Sequence, residues 1–163
     1  MTETNEIRRV GILTSGGDCA GLNAVLRAVV LHGGGHLGWQ IVGIRNGIQG
    51  LMDRPANAVE LEAGLFTGEL LRQAGTILGT TNRGNPFAYP MPDGSIRDRA
   101  DEAIDGYRKL GLDALIGIGG DGSIGLLYRM ARRGGLNLVA IPKTIDNDVM
   151  ATDFSVGFET AMT

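Results

Sequence analysis

Short apolar stretches followed at once by glycine-rich or polar loops occur three times along this 163-residue chain. Residues 8–14, 114–118 and 136–141 are apolar runs of the kind that form buried strands. Parallel strands joined by helices bring such loops to one edge of the sheet, outside the carboxyl ends of the strands, where α/β proteins bind ligands. The pattern therefore predicts that three loops converge on one crevice.

Apolar residues at helical spacing predict the connecting elements. A helix over 22–32 and a strand over 39–44 complete a right-handed βαβ unit with the first strand. Further helices are expected over 97–110 and after residue 123, the latter with a solvated outer face formed by its arginines, Arg129, Arg132 and Arg133. Turns are expected at 46–47 and 49–50. The four prolines of residues 51–97 predict only short elements there, one of them a helical turn over 69–74.

Composition narrows the class of protein. The length suits a single domain with a sizeable core, and a net charge of −3 argues against a nucleic-acid partner. The single cysteine, Cys19, excludes an internal disulfide and a cysteine-cluster metal site, which favours a reducing cytoplasm. Residues 1–9 contain no apolar signal core and no run is long enough to span a bilayer, so no membrane association is expected. The 27 glycines predict several tight turns at a ligand cleft.

The loop after the second apolar run, residues 119–123, reads GGDGS. Glycines leave backbone N–H groups uncovered, and the helix that follows adds its positive end, so this loop suits a phosphate group. The Asp121 carboxylate would repel phosphate unless a cation lay between them, which predicts that Asp121 holds Mg²⁺. The alternative is an ordinary turn that joins a strand to a helix, with Asp121 as a side-chain cap.

Three motifs in order, GGDCAGLNA at 16–24, GGDGS at 119–123 and PKTIDND at 142–148, resemble the 6-phosphofructokinase family, as does TDFSVGF at 152–158. The resemblance covers nearly the whole chain. It implies a three-layer α/β/α fold with a mostly parallel sheet, residues 1–163 being the donor-binding N-terminal portion of the family fold, truncated at its C-terminal end. It also implies transfer of the terminal phosphoryl group of ATP to the C1 hydroxyl of fructose 6-phosphate, with Mg²⁺, by a cytoplasmic enzyme that forms a homo-oligomer, a tetramer or dimer, at full length.

The same resemblance implies roles for residues of the third motif. Asp146 would be the general base that takes the proton of the sugar hydroxyl. Thr144 would hydrogen-bond the sugar or the transferred group, and Asp148 and Lys143 would belong to the same substrate site. The alternative for Asp146 is a turn carboxylate that accepts hydrogen bonds from the amides of residues 147 and 148.

The donor phosphates would be bound by the first two motifs. By resemblance, Gly16 offers its backbone N–H, and Asp18 and Asn23 are structural, with Asn23 fixing the entry to the first helix. Arg83 resembles the family arginine that bridges the transferring phosphoryl group, although its loop is one residue longer than in the commonest bacterial pattern and a plain surface arginine is the alternative. The remaining donor-binding residues are Gly120, Asp121, Gly122 and Ser123.

Two positions give opposite indications about the phosphoryl donor. Gly122 matches ATP-using members, whereas pyrophosphate users place there an aspartate that excludes the α-phosphate of the nucleotide. Lys143 matches pyrophosphate users, in which this lysine supplies a point charge to the phosphate. ATP is favoured, because an absent side chain permits the nucleotide and an added lysine does not forbid it.

Two other functions compete with a phosphofructokinase. One is a noncatalytic module that binds a magnesium nucleotide but not the sugar phosphate. The other is a dinucleotide-dependent dehydrogenase, which is disfavoured because the first loop lacks the spacing Gly-x-Gly-x-x-Gly and no acidic residue clearly ends the second strand.

Overall fold

The computed structural model describes residues 6–81 and 84–163. Its strands are β1 (Arg9–Ser15), β2 (Gln40–Ile44), β3 (Ala58–Glu60), β4 (Tyr89–Pro90), β5 (Ile96–Arg97), β6 (Ala114–Gly119) and β7 (Leu138–Pro142). Its α-helices are α1 (Leu22–Val29), α2 (Ile48–Met52), α3 (Gly68–Arg72), α4 (Ala100–Lys109), α5 (Asp121–Gly134) and α6 (Phe158–Met162). None of the helices in this part of the chain combines the length and hydrophobicity needed to cross a membrane.

The central sheet has the strand order β3-β2-β1-β6-β7. All neighbours pair in parallel except β2 and β3. Across its three adjacent strands β1, β6 and β7, Ser15 pairs with Gly119 and Gly119 pairs with Pro142. The last residues of these three strands therefore lie side by side, which places the three loops at one edge of the sheet as the sequence predicts.

Helices cover both faces of the sheet. Leu13 of β1 packs into a core cluster with residues of α2, α4 and α5, whereas Ile12 packs into a second cluster with residues of α1. Both side chains are fully buried. A strand buried on both faces reads as a continuous apolar run, and the predicted three-layer α/β/α fold is confirmed.

Some elements differ from those expected. The first helix continues beyond α1 as a π-helical turn, Val30–Gly34, and α5 begins at Asp121 rather than after residue 123. The expectation of a turn at 49–50 is wrong, because Gly50 lies within α2. A Cβ atom on Gly50 would stand 2.2 Å from the carbonyl oxygen of Arg45, so this glycine serves close packing.

The outer face of α5 is solvent-exposed, as expected, and two of its arginines also contact neighbouring elements. Arg133 forms ion pairs with Asp98, at 2.7 Å, and with Asp101 of α4. The Arg129 guanidinium lies 4.0 Å from the centre of the Phe87 ring. Arg129, Arg132 and Arg133 are all exposed, so the expectation of a solvated face is confirmed, while these contacts attach α5 to α4 and to the irregular segment before it.

Candidate active site

The N-terminus of α5 is an uncapped helix end. Gly120 occupies the N-cap position without a side-chain hydrogen bond, and Ile124 makes the first helical bond, donating to Gly120 O at 2.9 Å. The amides of residues 121–123 therefore have no acceptor in the helix, and the end carries partial positive charge. Asp121 is the first helical residue and does not cap the end. The alternative interpretation is therefore wrong in making Asp121 a cap, although the loop does join β6 directly to α5.

Two cavities of about 370 and 350 Å³ flank this helix end. The first is lined by Gly16, Thr81, Gly84, Asn85, Gly122 and Ser123, among others. The second is lined by Gly17, Gly120, Asp121, Lys143, Thr144 and Asp148, among others. The structure thus brings together all predicted site residues except two. Asp146 lines neither cavity, and Arg83 lies outside the described residues.

The first glycine loop is held tightly against its neighbours. Gly16 has a φ angle of +85°, and a Cβ atom there would lie 2.9 Å from Ser123 Oγ, so only glycine suits this position. Its N–H donates to Thr81 O at 3.3 Å, and its carbonyl oxygen accepts a hydrogen bond from the Thr80 hydroxyl. The role predicted for Gly16, an amide donor to phosphate, requires that this long bond be exchanged for one to the ligand.

The third loop is folded on itself around Thr144. The Thr144 hydroxyl donates to Asp148 Oδ1 at 3.0 Å and accepts from the Asp146 amide at 3.1 Å. The side chain of Asn147, whose φ angle is +52°, bonds the backbone of residues 153 and 155. The exposed Asp146 carboxylate accepts no hydrogen bond from residues 6–81 or 84–163, so within that part of the chain it is not the turn carboxylate of the alternative interpretation.

Lys143 is buried, and its ammonium donates a hydrogen bond to the carbonyl oxygen of Gly17. This positive charge lowers the pKa of the buried Cys19 thiol, although burial has the larger effect and the pKa is raised overall. In this structure the lysine therefore contacts the first glycine loop, a contact that sequence reasoning missed.

Two further side chains attach the first motif to the segment 70–81. The buried Asn23 donates to Leu70 O at 3.3 Å and accepts from the Ile77 amide at 3.0 Å, so it anchors that segment rather than the helix entry. Asp18 accepts from the Cys19 amide at 3.2 Å, and a Cβ on Gly75 would lie 2.4 Å from Asp18 Oδ2. The sequence did contain one signal of this contact, the glycine at position 75. Because glycine has no Cβ and tolerates a positive φ angle, the Asp18 carboxylate can lie against it.

Three carboxylates line the second cavity, those of Asp18, Asp121 and Asp148. Asp18 accepts a hydrogen bond from the adjacent Cys19 amide and lies against Gly75, so the candidate ligands of a metal ion are Asp121 and Asp148. In the part of the chain that the structure describes, no three His, Cys, Asp or Glu side chains gather as a metal site. Mg²⁺ is bound at phosphate-transfer sites by one or two carboxylates together with water and substrate phosphate oxygens. This pair of side chains fits such a shared site and does not form a cage by itself.

Comparisons with known proteins agree with this architecture. The family model Phosphofructokinase matches residues 9–163. ATP-dependent 6-phosphofructokinase 1 of Synechocystis sp. is 62% identical over 156 residues, 96% of this chain and 43% of the relative. The protein of the same name from Nostoc sp. is 59% identical over 155 residues, 95% and 43% of the respective chains.

Similarity extends to solved structures. The crystal structure of Pichia pastoris phosphofructokinase in the T-state superposes with a TM-score of 0.78 at 28% identity, covering 96% of this chain and 18% of that one. The chain thus spans less than half the length of the two curated relatives. Because the family model matches almost every residue and the fold agrees, the chain belongs to the phosphofructokinase family.

Proposed function

We propose that this chain carries the phosphoryl-donor site of an ATP-dependent 6-phosphofructokinase, which forms fructose 1,6-bisphosphate from ATP and fructose 6-phosphate. The observation that carries the proposal is the uncapped N-terminus of α5, flanked by loops from the adjacent ends of β1 and β7. Such a helix end binds phosphate through free amides and its dipole. The names of the two curated relatives, both ATP-dependent 6-phosphofructokinases, support the same activity.

Different residues of the site take different parts in phosphoryl transfer. The α5 amides and the glycine loop at 16–17 bind the donor phosphates, and Asp121 and Asp148 would hold Mg²⁺. When bound, this ion would neutralise charge on the phosphate oxygens. Asp146 takes the proton of the attacking C1 hydroxyl, a role that its exposed carboxylate supports.

The loop at 144–148 and Arg83 complete the proposed machinery. The Thr144 hydroxyl, which bonds both Asp148 and the Asp146 amide, sets the shape of the loop that presents the base. Arg83 stabilises the transferring group, a role proposed from the family resemblance alone. Transfer depends chiefly on positioning and on such fixed charges.

Two observations bear on the choice between ATP and pyrophosphate. Among the described residues, no atom lies within 4 Å of the position of a Cβ on Gly122, so the place where pyrophosphate users carry an aspartate is open beside the cavity that Gly16 and Ser123 line, which supports ATP. The Lys143 ammonium, which resembles that of pyrophosphate users, is bonded to the Gly17 carbonyl. This bond gives the lysine a role that does not depend on pyrophosphate, so its presence does not argue against ATP.

The test is fructose 1,6-bisphosphate formation with Mg²⁺ and either ATP or pyrophosphate, measured over a range of protein concentrations alongside calorimetric binding of MgATP. Turnover with ATP above that with pyrophosphate is the expected result. Faster turnover with pyrophosphate would overturn the donor assignment, and no binding of either donor would overturn the site. Binding of MgATP without turnover would identify the noncatalytic nucleotide-binding module instead.

A further inference from the structure

Lys143 is an unusual lysine, because only 6% of its surface is exposed. The other lysine of the chain, Lys109, lies on the surface of α4 and pairs with Asp105 at 2.8 Å. No carboxylate of residues 6–81 or 84–163 forms an ion pair with Lys143. An ammonium group buried without such compensation is costly and requires other polar contacts.

The surroundings of Lys143 show where that compensation comes from. Its backbone N–H donates to Gly119 O at 3.0 Å, which fixes the lysine directly after β7 and beside the start of the GGDGS loop. Its side chain reaches the first glycine loop. A Cβ on Gly16 or on Gly17 would lie 3.7 or 3.9 Å from Lys143 Nζ, and the ammonium donates to the Gly17 carbonyl. One lysine thus connects all three loops of the site.

The bonded carbonyls control the direction of the neighbouring amides. In a trans peptide the C=O and the N–H of one unit point in opposite directions. Lys143 holds the Gly17 carbonyl, which fixes the N–H of Asp18, and Thr80 holds the Gly16 carbonyl, which fixes the N–H of Gly17. Neither of these two amides donates to any residue that the structure describes. A loop that binds phosphate must direct its N–H groups at the anion and keep its carbonyl oxygens away.

We propose that Lys143 is a positioning residue for the phosphoryl donor. Its ammonium binds the Gly17 carbonyl and thereby orients the amides of the first glycine loop, so that it acts on donor affinity through the loop. The proposal rests on the proposed function, and it differs from a direct contact of the lysine with the transferred phosphate.

The experiment compares Lys143→Met, which keeps the apolar stem and removes the donor, with Lys109→Met as the surface control. NMR order parameters of the free protein should fall from about 0.85 to below about 0.6 at the Gly17 and Asp18 amides, because the loop loses the charge-assisted hydrogen bond that holds it. The KM for ATP should rise about tenfold with kcat within twofold of wild type. The control should match wild type in both measurements.

A second variant distinguishes the loss of the lysine's hydrogen bond from a failure of the protein to fold. Lys143→Gln retains an N–H donor on a shorter stem and should give order parameters at the Gly17 and Asp18 amides between those of wild type and Lys143→Met. Unchanged order parameters at these amides in both variants would overturn the proposal. So would a large fall in kcat with an unchanged KM, which would place the lysine on the transferring group. If wild type neither binds nor uses ATP, the proposed function fails, while the order parameters of the free protein still decide how the lysine acts on the loop.

Discussion

Replacing Gly122 with aspartate tests the donor site most directly, because stability and binding should change in opposite directions. Gly122 is the second residue of α5 and lines the cavity that also contains Gly16 and Ser123. Among the described residues, no atom lies within 4 Å of a Cβ at this position. The Cβ of the aspartate therefore enters space that these residues leave open.

The two effects differ greatly in size. An aspartate in place of glycine within a helix gains a few tenths of a kcal/mol in propensity, and an acid in the first turn gains about 0.3–1 kcal/mol from the helix dipole. Against a bound phosphate, a charge 4 Å away costs about 4 kcal/mol at an effective dielectric constant of 20. The metal ion reduces this repulsion. We therefore expect slightly higher stability and roughly a hundredfold to thousandfold weaker ATP binding.

Thermal unfolding of the free protein and calorimetric titration with MgATP measure the two effects separately. Gly122→Ala is the matched control, since it adds a Cβ without charge and should bind ATP within about threefold of wild type while unfolding at a slightly higher temperature. Turnover with pyrophosphate should fall far less than turnover with ATP. A lower unfolding temperature of Gly122→Asp, or an equal loss with both donors, would refute the reasoning.

Three other changes test separate parts of the molecule. Asp146→Asn should lower kcat at least a hundredfold with little change in MgATP affinity, because a general base acts in the transition state; near-normal turnover would contradict its role. Gly106→Ala should lower the free energy of unfolding by roughly 2–3 kcal/mol in urea unfolding, since its Cβ would lie 1.9 Å from Leu51 O. Gly125→Ala is the control and should not destabilise the protein, because no atom of the described residues lies within 4 Å of its Cβ. Backbone hydrogen bonds from Arg9 and Arg8 lower the pKa of Asp113 below its ordinary 3.8. The ionised Asp113 carboxylate therefore stabilises the folded protein fully above pH 3.8, and this stabilisation is lost as the pH falls through the lowered pKa. We expect the Asp113→Asn variant to unfold at a different pH from wild type in an acid titration, and an equal midpoint would refute the prediction.

The elements that formed the framework of the site could be predicted because their signals are local. Buried parallel strands read as apolar runs, and the loops after β1, β6 and β7 converge as expected. The start of α5 was predicted three residues late, because the glycines of GGDGS suggest a turn while no side chain caps the helix. Gly50 was misread for a related reason, since its close approach to the Arg45 carbonyl exists only in the folded chain.

The contacts that shape the first glycine loop could not be predicted from the sequence. Thr80 bonds a glycine 64 positions earlier and Lys143 bonds one 126 positions earlier. Nothing in the local pattern of either residue indicates its partner. The family resemblance assigned Lys143 to phosphate, and its contact with the Gly17 carbonyl became visible only once the loops were placed together in space.

The position of β1 between β2 and β6 has a consequence for how the protein is made. Val10 pairs with Ala114, which lies 104 positions later in the chain. A ribosome that adds 5–20 residues per second takes roughly 5–20 s to synthesise this interval. During that time the backbone edge of β1 that later pairs with β6 has no native partner, and the phosphate-binding edge of the sheet cannot form. The nascent chain therefore depends on the βαβ unit of β1, α1 and β2 to keep its first strand from associating with other chains.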